Sequence, residues 1–121
     1  NSNPASLAAS LHSLSKLNNK EKKILVLGDM LELGDKSKEL HKSFKSQIES
    51  YEIKILFTTG KHMKELNNII CKDLKKYHED NLEALFDKLK LLIKKNDVIL
   101  IKGSNSMNLI EIIKKITREF A

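Results

Sequence analysis

Two loops of this chain carry residues whose types suit chemistry on a charged substrate. The first, Gly28-Asp29-Met30-Leu31-Glu32-Leu33-Gly34, follows the aliphatic run Ile24–Leu27 and offers one carboxylate, Asp29, at a strand end. The second, Lys102-Gly103-Ser104-Asn105-Ser106-Met107, follows Val98–Ile101 and offers an ammonium, an uncluttered backbone and two hydroxyls ahead of a helix. A set of that kind receives a carboxylate or phosphate, since free N–H groups and the positive end of a helix face the ligand. It equally reads as a helix start, capped by Ser104 or Ser106, with a solvent-facing lysine. Met30 and Leu31 are apolar in a loop, which fits contact with a ligand or neighbouring domain, or a fold back onto the chain's own core. His41, near the start of the next helix, is placed to face the same rim, although a helix-surface histidine is the commoner case.

Other chemistries are excluded by spacing. Neither G-x-G-x-x-G nor G-x-x-x-x-G-K-[ST] occurs, so the chain carries no dinucleotide fingerprint and no P-loop of its own. His12, His41, His62 and His78 show no metal-ligand spacing. The single cysteine, Cys71, excludes an internal disulfide and a thiolate zinc site, and after Ile69-Ile70 it reads as a small core filler. The residues form a binding rim without an autonomous catalytic set.

The elements that must position these loops are legible in the periodicity. Ile24–Leu27, Ile55–Phe57 and Val98–Ile101 are near-continuous apolar runs, as in strands buried on both faces. Helical stripes surround them: Leu7, Leu11, Leu14 and Leu17; Leu40, Phe44 and Ile48; Leu82, Leu85, Phe86, Leu89 and Leu92; Leu109, Ile112, Ile113, Ile116 and Phe120. A weaker helix spans roughly Lys61 to Cys71, and a short polar edge strand is expected near Lys76–His78. Asn3-Pro4 and Asp80 with Glu83 read as helix starts, the latter as a capping box. The alternation predicts one α/β domain with a mostly parallel sheet, right-handed crossovers and helices on both faces. All the glycines, Gly28, Gly34, Gly60 and Gly103, fall on the rim where such sheets bind ligands.

Composition sets the class. The 121 residues are one domain's worth, 40% hydrophobic and 31% charged. The longest aliphatic runs are far short of the ~20 residues a membrane helix needs. No secretory segment opens the chain, which begins without methionine, so the expectation is a cytoplasmic piece of something longer. The net charge is +6, but 21 of the 22 basic residues are lysine and they are spread over every segment. Base readout leans on arginine's planar fork, so a nucleic-acid partner is disfavoured.

The loops together resemble a known family. Asn1-Ser2-Asn3-Pro4 with Ser6, then Val26–Gly34 with His41, then Ile101-Lys102-Gly103-Ser104-x-Ser106-Met107, are similar in order and spacing to the C-terminal domain of bacterial Mur ligases. The resemblance covers essentially the whole chain. The Gly28–Gly34 string is closest to the branch that joins D-alanyl-D-alanine to UDP-N-acetylmuramoyl-tripeptide. It implies a Rossmann-like three-layer domain that closes over ATP and the amino substrate, in a cytoplasmic, monomeric enzyme of peptidoglycan synthesis. The N-terminal and central ATPase domains, with the P-loop and Mg2+, would lie outside this chain.

By that resemblance Asn1, Asn3 and Pro4 match the segment lining the adenine and ribose of ATP. Asp29 and His41 match a loop facing the catalytic cleft. Lys102, Gly103 and Ser104 match the loop near the dipeptide and the reactive end of the tripeptide. Asn105 and Asn108 stand where the family often has arginine. The isolated chain is expected to turn over neither ATP nor peptide. The alternative reading is a free-standing α/β ligand-binding or regulatory module.

Overall fold

The computed structural model describes residues 4–17, 21–30, 37–71 and 73–120. Helix α1 (Pro4–Ser15) leads into strand β1 (Lys23–Gly28), then α2 (Ser37–Ser50), β2 (Ile55–Thr59), α3 (Lys61–Ile69), β3 (Lys75–His78), α4 (Leu82–Leu92), β4 (Val98–Lys102) and α5 (Ile110–Glu119). One short 3-10 turn, Asn105–Met107, separates β4 from α5. The four strands form a parallel sheet in the order β3-β2-β1-β4.

Side-chain alternation explains the continuous apolar runs. Leu25 and Leu27 of β1 point to one face, where α1, α2 and α3 contribute Leu7, Leu11, Phe44, Ile48, Met63 and Leu66. Ile24 and Val26 point to the other, where α4 and α5 contribute Leu85, Phe86, Leu89 and Ile112. A central parallel strand must be apolar at every position because both of its faces are covered. Each such side chain, fully removed from water, stabilises the fold by roughly 1.5–3 kcal/mol.

The chain steps from β1 to β2 to β3 with helices on one face, then returns under the sheet through α4 to place β4 beside β1. Winding therefore reverses between β1 and β4, and the crevice beyond their carboxyl ends is where such sheets take ligands. The expected α/β architecture and element order are found, including the short edge strand β3.

Several local expectations are corrected. Asn81, not Asp80, caps α4, its side chain accepting from the Ala84 N–H at 2.9 Å. Ser104 and Ser106 do not cap α5: their hydroxyls bond each other at 2.8 Å, and α5 starts after Leu109 without a side-chain cap. Helix α3 stops at Ile69, so Cys71 lies outside it, exposed instead of filling the core. Of the two readings left open for Met30, the fold back onto the core is the one found, at 1% exposure. Leu17, assigned to the α1 stripe, is 49% exposed because that helix ends at Ser15.

Candidate functional site

The rim is organised around Asp29. With β1 ending at Gly28, the next residue emerges between β2 and β4 and turns its carboxylate inward, where only 3% of the residue remains exposed. Its Oδ2 accepts from the His62 N–H at 3.1 Å and its Oδ1 from the Met63 N–H at 2.8 Å. Both are first-turn amides of α3, which lack partners inside the helix. The carboxylate thus caps α3 from another strand, a charge-assisted arrangement that also favours the helix dipole.

Gly60, the residue before α3, has φ +101°, and a Cβ there would lie 2.5 Å from the Asp29 carboxylate. This is a position only glycine fills without strain. Its N–H is held by Asp80 Oδ1 at 2.9 Å, and that hydrogen bond, above all, keeps the Asp80 carboxyl below its usual range. Burial opposes the shift, and His78 reinforces it.

Asp80 continues into a polar chain that spacing did not reveal. His78 Nε2 lies 2.9 Å from Asp80 Oδ1, His78 Nδ1 lies 2.8 Å from Thr58 Oγ1, and Asn67 Nδ2 donates to Thr58 Oγ1 at 3.0 Å. An ionised carboxylate only accepts, so Nε2 carries the proton toward Asp80 and, in the neutral ring, Nδ1 accepts from Thr58. The order Asp–His–Thr matches a nucleophile relay, but Thr58 is 0% exposed, so no substrate reaches it. The network ties β2, β3 and α3 together. A carboxylate two residues beyond a strand-end histidine is the signal that marks it in the sequence.

The β4 side of the crevice has a different character. Ser104 donates its N–H to the Asp29 carbonyl at 2.9 Å, and Leu27 of β1 is in register with Lys102. Gly28 and Gly103 pack together under Leu109: a Cβ on Gly103 would sit 2.6 Å from Leu109 Cδ1 and 3.1 Å from Gly28 Cα. The space at Gly103 is thus set by packing within the chain. Beyond it lies a cavity of about 180 Å³ whose walls include Lys102, Gly103, Ser104, Asn105, Asn108 and Ile110. Lys102 is part-exposed, and its ammonium has no hydrogen-bond or ion-pair partner among the described residues. The backbone groups of Ser104 are both engaged, its carbonyl accepting from Met107, so its hydroxyl is what it can offer a ligand.

Asp29 and Lys102–Ser104 are therefore brought to one crevice, with Asp29 turned into the fold and Lys102 part-exposed. Asn1 and Asn3 lie outside the described residues, as do Leu31–Asp35 and the side chains of Pro4 and His41, whose backbones belong to α1 and α2. Among the described residues no group of three or more His, Cys, Asp or Glu side chains could hold a metal ion. The N-terminus of α3 is occupied by the chain's own carboxylates. The described part of the rim accordingly does not fit a magnesium ion, and that helix end does not fit a nucleotide's phosphates.

The family described as Mur ligase, glutamate ligase domain, matches residues 1–105. The UDP-N-acetylmuramoyl-tripeptide–D-alanyl-D-alanine ligase of Bacillus subtilis is 38% identical over 121 aligned residues, covering 94% of this chain and 26% of the relative. The ligase of the same name from Buchnera aphidicola (subsp. Baizongia pistaciae) is 34% identical, with 99% and 25% covered. The crystal structure of the MurF ligase of Thermotoga maritima in complex with ADP superposes with a TM-score of 0.76 at 25% identity, over 100% of this chain and 28% of that one. The chain spans about a quarter of the length of the relatives it matches.

Proposed function

The chain belongs to the Mur ligase C-terminal domain family, and from that premise we propose that it serves a UDP-N-acetylmuramoyl-tripeptide–D-alanyl-D-alanine ligase of peptidoglycan synthesis. In the complete enzyme ATP phosphorylates the terminal carboxylate of the tripeptide. The amine of D-alanyl-D-alanine then attacks the acyl phosphate, and the tetrahedral intermediate collapses with loss of inorganic phosphate. ATP and Mg2+ are held mainly by a central ATPase domain, over which this one closes; Asn1, Asn3 and Pro4 line the adenine and ribose. The reaction takes place in the cytoplasm, and the enzyme acts as a monomer.

The contribution of this domain is positioning and charge. The observation that carries the reading is the pairing of the two rim turns, Ser104 N–H on the Asp29 carbonyl, with the Lys102 ammonium at the lip unpaired among the described residues. A fixed cation there holds a substrate carboxylate or offsets the charge that develops on the tetrahedral intermediate. Gly103 and the Ser104 hydroxyl shape the same pocket, and His41 contributes to substrate binding. Asp29 acts from behind, holding both turns in register while its carboxylate caps α3.

The test is phosphate release by the full-length protein. Turnover should require UDP-N-acetylmuramoyl-tripeptide and D-alanyl-D-alanine together, whereas the 121-residue chain alone should give none. Dipeptide-independent release by the full-length protein, or turnover by the purified chain, would overturn the assignment.

A further inference from the structure

Lysines stand at the amino end of every strand: Lys22-Lys23 at β1, Lys54 ahead of β2, Lys75-Lys76 at β3 and Lys94-Lys95 in the turn before β4. Parallel pairing brings these starts together, with the Lys54 N–H on the Lys23 carbonyl at 3.0 Å and the Lys75 N–H on the Lys54 carbonyl at 3.1 Å. This end of the sheet lies opposite the Asp29–Lys102 crevice, a strand length or roughly 17 Å away. A cavity of about 600 Å³ opens there, a volume in the range of small-molecule sites. Lys22, Lys54, Lys75 and Lys94 line it, with one carboxylate among the described residues, Asp73. Its remaining walls are apolar: Ile55, Leu74, Leu91 and Leu92.

The charge of this cavity is not balanced from within. Lys22 is paired with Asp97, whereas the ammonium groups of Lys54, Lys75 and Lys94 have no hydrogen-bond or ion-pair partner among the described residues. Lys76 shows the contrast, its ammonium held by the carbonyls of Asn67 and Ile70. Beside the unpaired cations Leu91 is 80% exposed, while Leu85, Phe86 and Leu89 of the same helix are buried. A solvated lysine fringe needs no apolar wall, and an apolar wall alone gathers no cations. The two together fit an anion carried on an apolar body, and converging ammonium point charges match the double charge of a phosphate monoester. We infer that the cavity binds an organic phosphate, its phosphate on Lys54 and Lys75 and its apolar part against Leu91 and Leu92. The carbonyl end of α4 repels an anion, which puts the phosphate on the β2–β3 side. The site is separate from the crevice of the reaction proposed above and does not depend on it.

Methyl NMR of the full-length protein, labelled at isoleucine and leucine and titrated with n-hexyl phosphate, tests this. The Leu91 and Leu92 methyl signals should shift and saturate. Replacing both cations, Lys54→Gln with Lys75→Gln, should raise the Kd at least about tenfold. Leu91→Ser should weaken binding of hexyl phosphate and leave that of inorganic phosphate unchanged. All three side chains are exposed, so these variants keep the fold. Sedimentation with phosphatidylcholine vesicles, with and without phosphatidylglycerol, separates the two sources of such a phosphate. Cosedimentation that needs both phosphatidylglycerol and the two lysines assigns it to a membrane lipid; hexyl phosphate binding without cosedimentation assigns it to a soluble ester. Unmoved Leu91 and Leu92 signals would rule out the site, as would a Kd equal in the double lysine variant or equal for inorganic phosphate alone.

Discussion

The backbone carbonyl of Asp29 accepts a hydrogen bond from the N–H of Ser104 at 2.9 Å. Two loops separated by most of the chain are locked together where the winding of the sheet reverses. The same residue sends its side chain the other way, onto the first turn of α3. One aspartate therefore fixes β1, β4 and α3 relative to one another. The lip that carries Lys102 takes its place from that junction.

Replacing Asp29 with alanine should destabilise the fold by roughly 2–4 kcal/mol, since two buried helix-start amides lose a charged acceptor. Asp29→Asn should recover part of this, because its single carbonyl oxygen can serve one of the two donors. Urea unfolding followed by circular dichroism reads both variants. A loss below about 0.5 kcal/mol for the alanine variant would show that the cap is dispensable.

The contact of Gly103 with Leu109 predicts a coupling. Gly103→Ala drives a methyl to 2.6 Å from Leu109 Cδ1 and should cost about 1–3 kcal/mol by overpacking. Leu109→Ala, which empties a buried position, should cost about 2–4 kcal/mol alone. Together they should cost at least 1 kcal/mol less than their sum, because the shortened side chain makes room for the new methyl. Additivity within about 0.5 kcal/mol would mean that Gly103 is constrained by something else.

Acid should act on Asp80. Its carboxyl is held below the ordinary value of 3.8 by the Gly60 N–H first and His78 second, so the folded state binds this proton more weakly than the unfolded chain. The stabilisation is complete above the unfolded value and is lost as pH falls through the folded one, a window lying below about pH 4. The side chain is 70% exposed, so solvent keeps the effect small. Asp80→Asn should flatten the stability curve in that window and leave its slope near neutrality unchanged. An unaltered acid limb would count against the Gly60 contact in solution.

The strands and their order were legible because a doubly covered parallel strand has no polar position: Ile24 and Val26 serve one core, Leu25 and Leu27 the other. The rim was legible as a place, through Asp29 and Lys102, but not as a division of labour. Asp29 carries the residue type of a binding carboxylate; its burial follows from the position of α3, which begins 32 residues later, at Lys61, and is invisible to local spacing. Asp80 and Asn81 are adjacent and both competent caps, and the choice between them is made by Gly60, brought near through the pairing of β2 with β3. Cys71 follows two isoleucines, yet the helix ends at Ile69 and turns it to solvent. In each case a contact distant in sequence decides among options that nearby residues leave equal.

Lys102 should matter for turnover and little for stability. Its ammonium has no partner among the described residues, so Lys102→Ala in the full-length enzyme removes charge without breaking an internal bond, and the expected stability change is within about 0.5 kcal/mol. If the ammonium stabilises the tetrahedral intermediate, kcat should fall by about 10²–10³. If it holds the ground-state carboxylate of the dipeptide, KM for D-alanyl-D-alanine should rise with kcat little changed. Lys102→Arg keeps the charge but replaces a point cation with a planar fork, and should restore binding more fully than it restores kcat. Steady-state kinetics with the dipeptide varied separates these outcomes, and parameters unchanged in the alanine variant would remove Lys102 from the site.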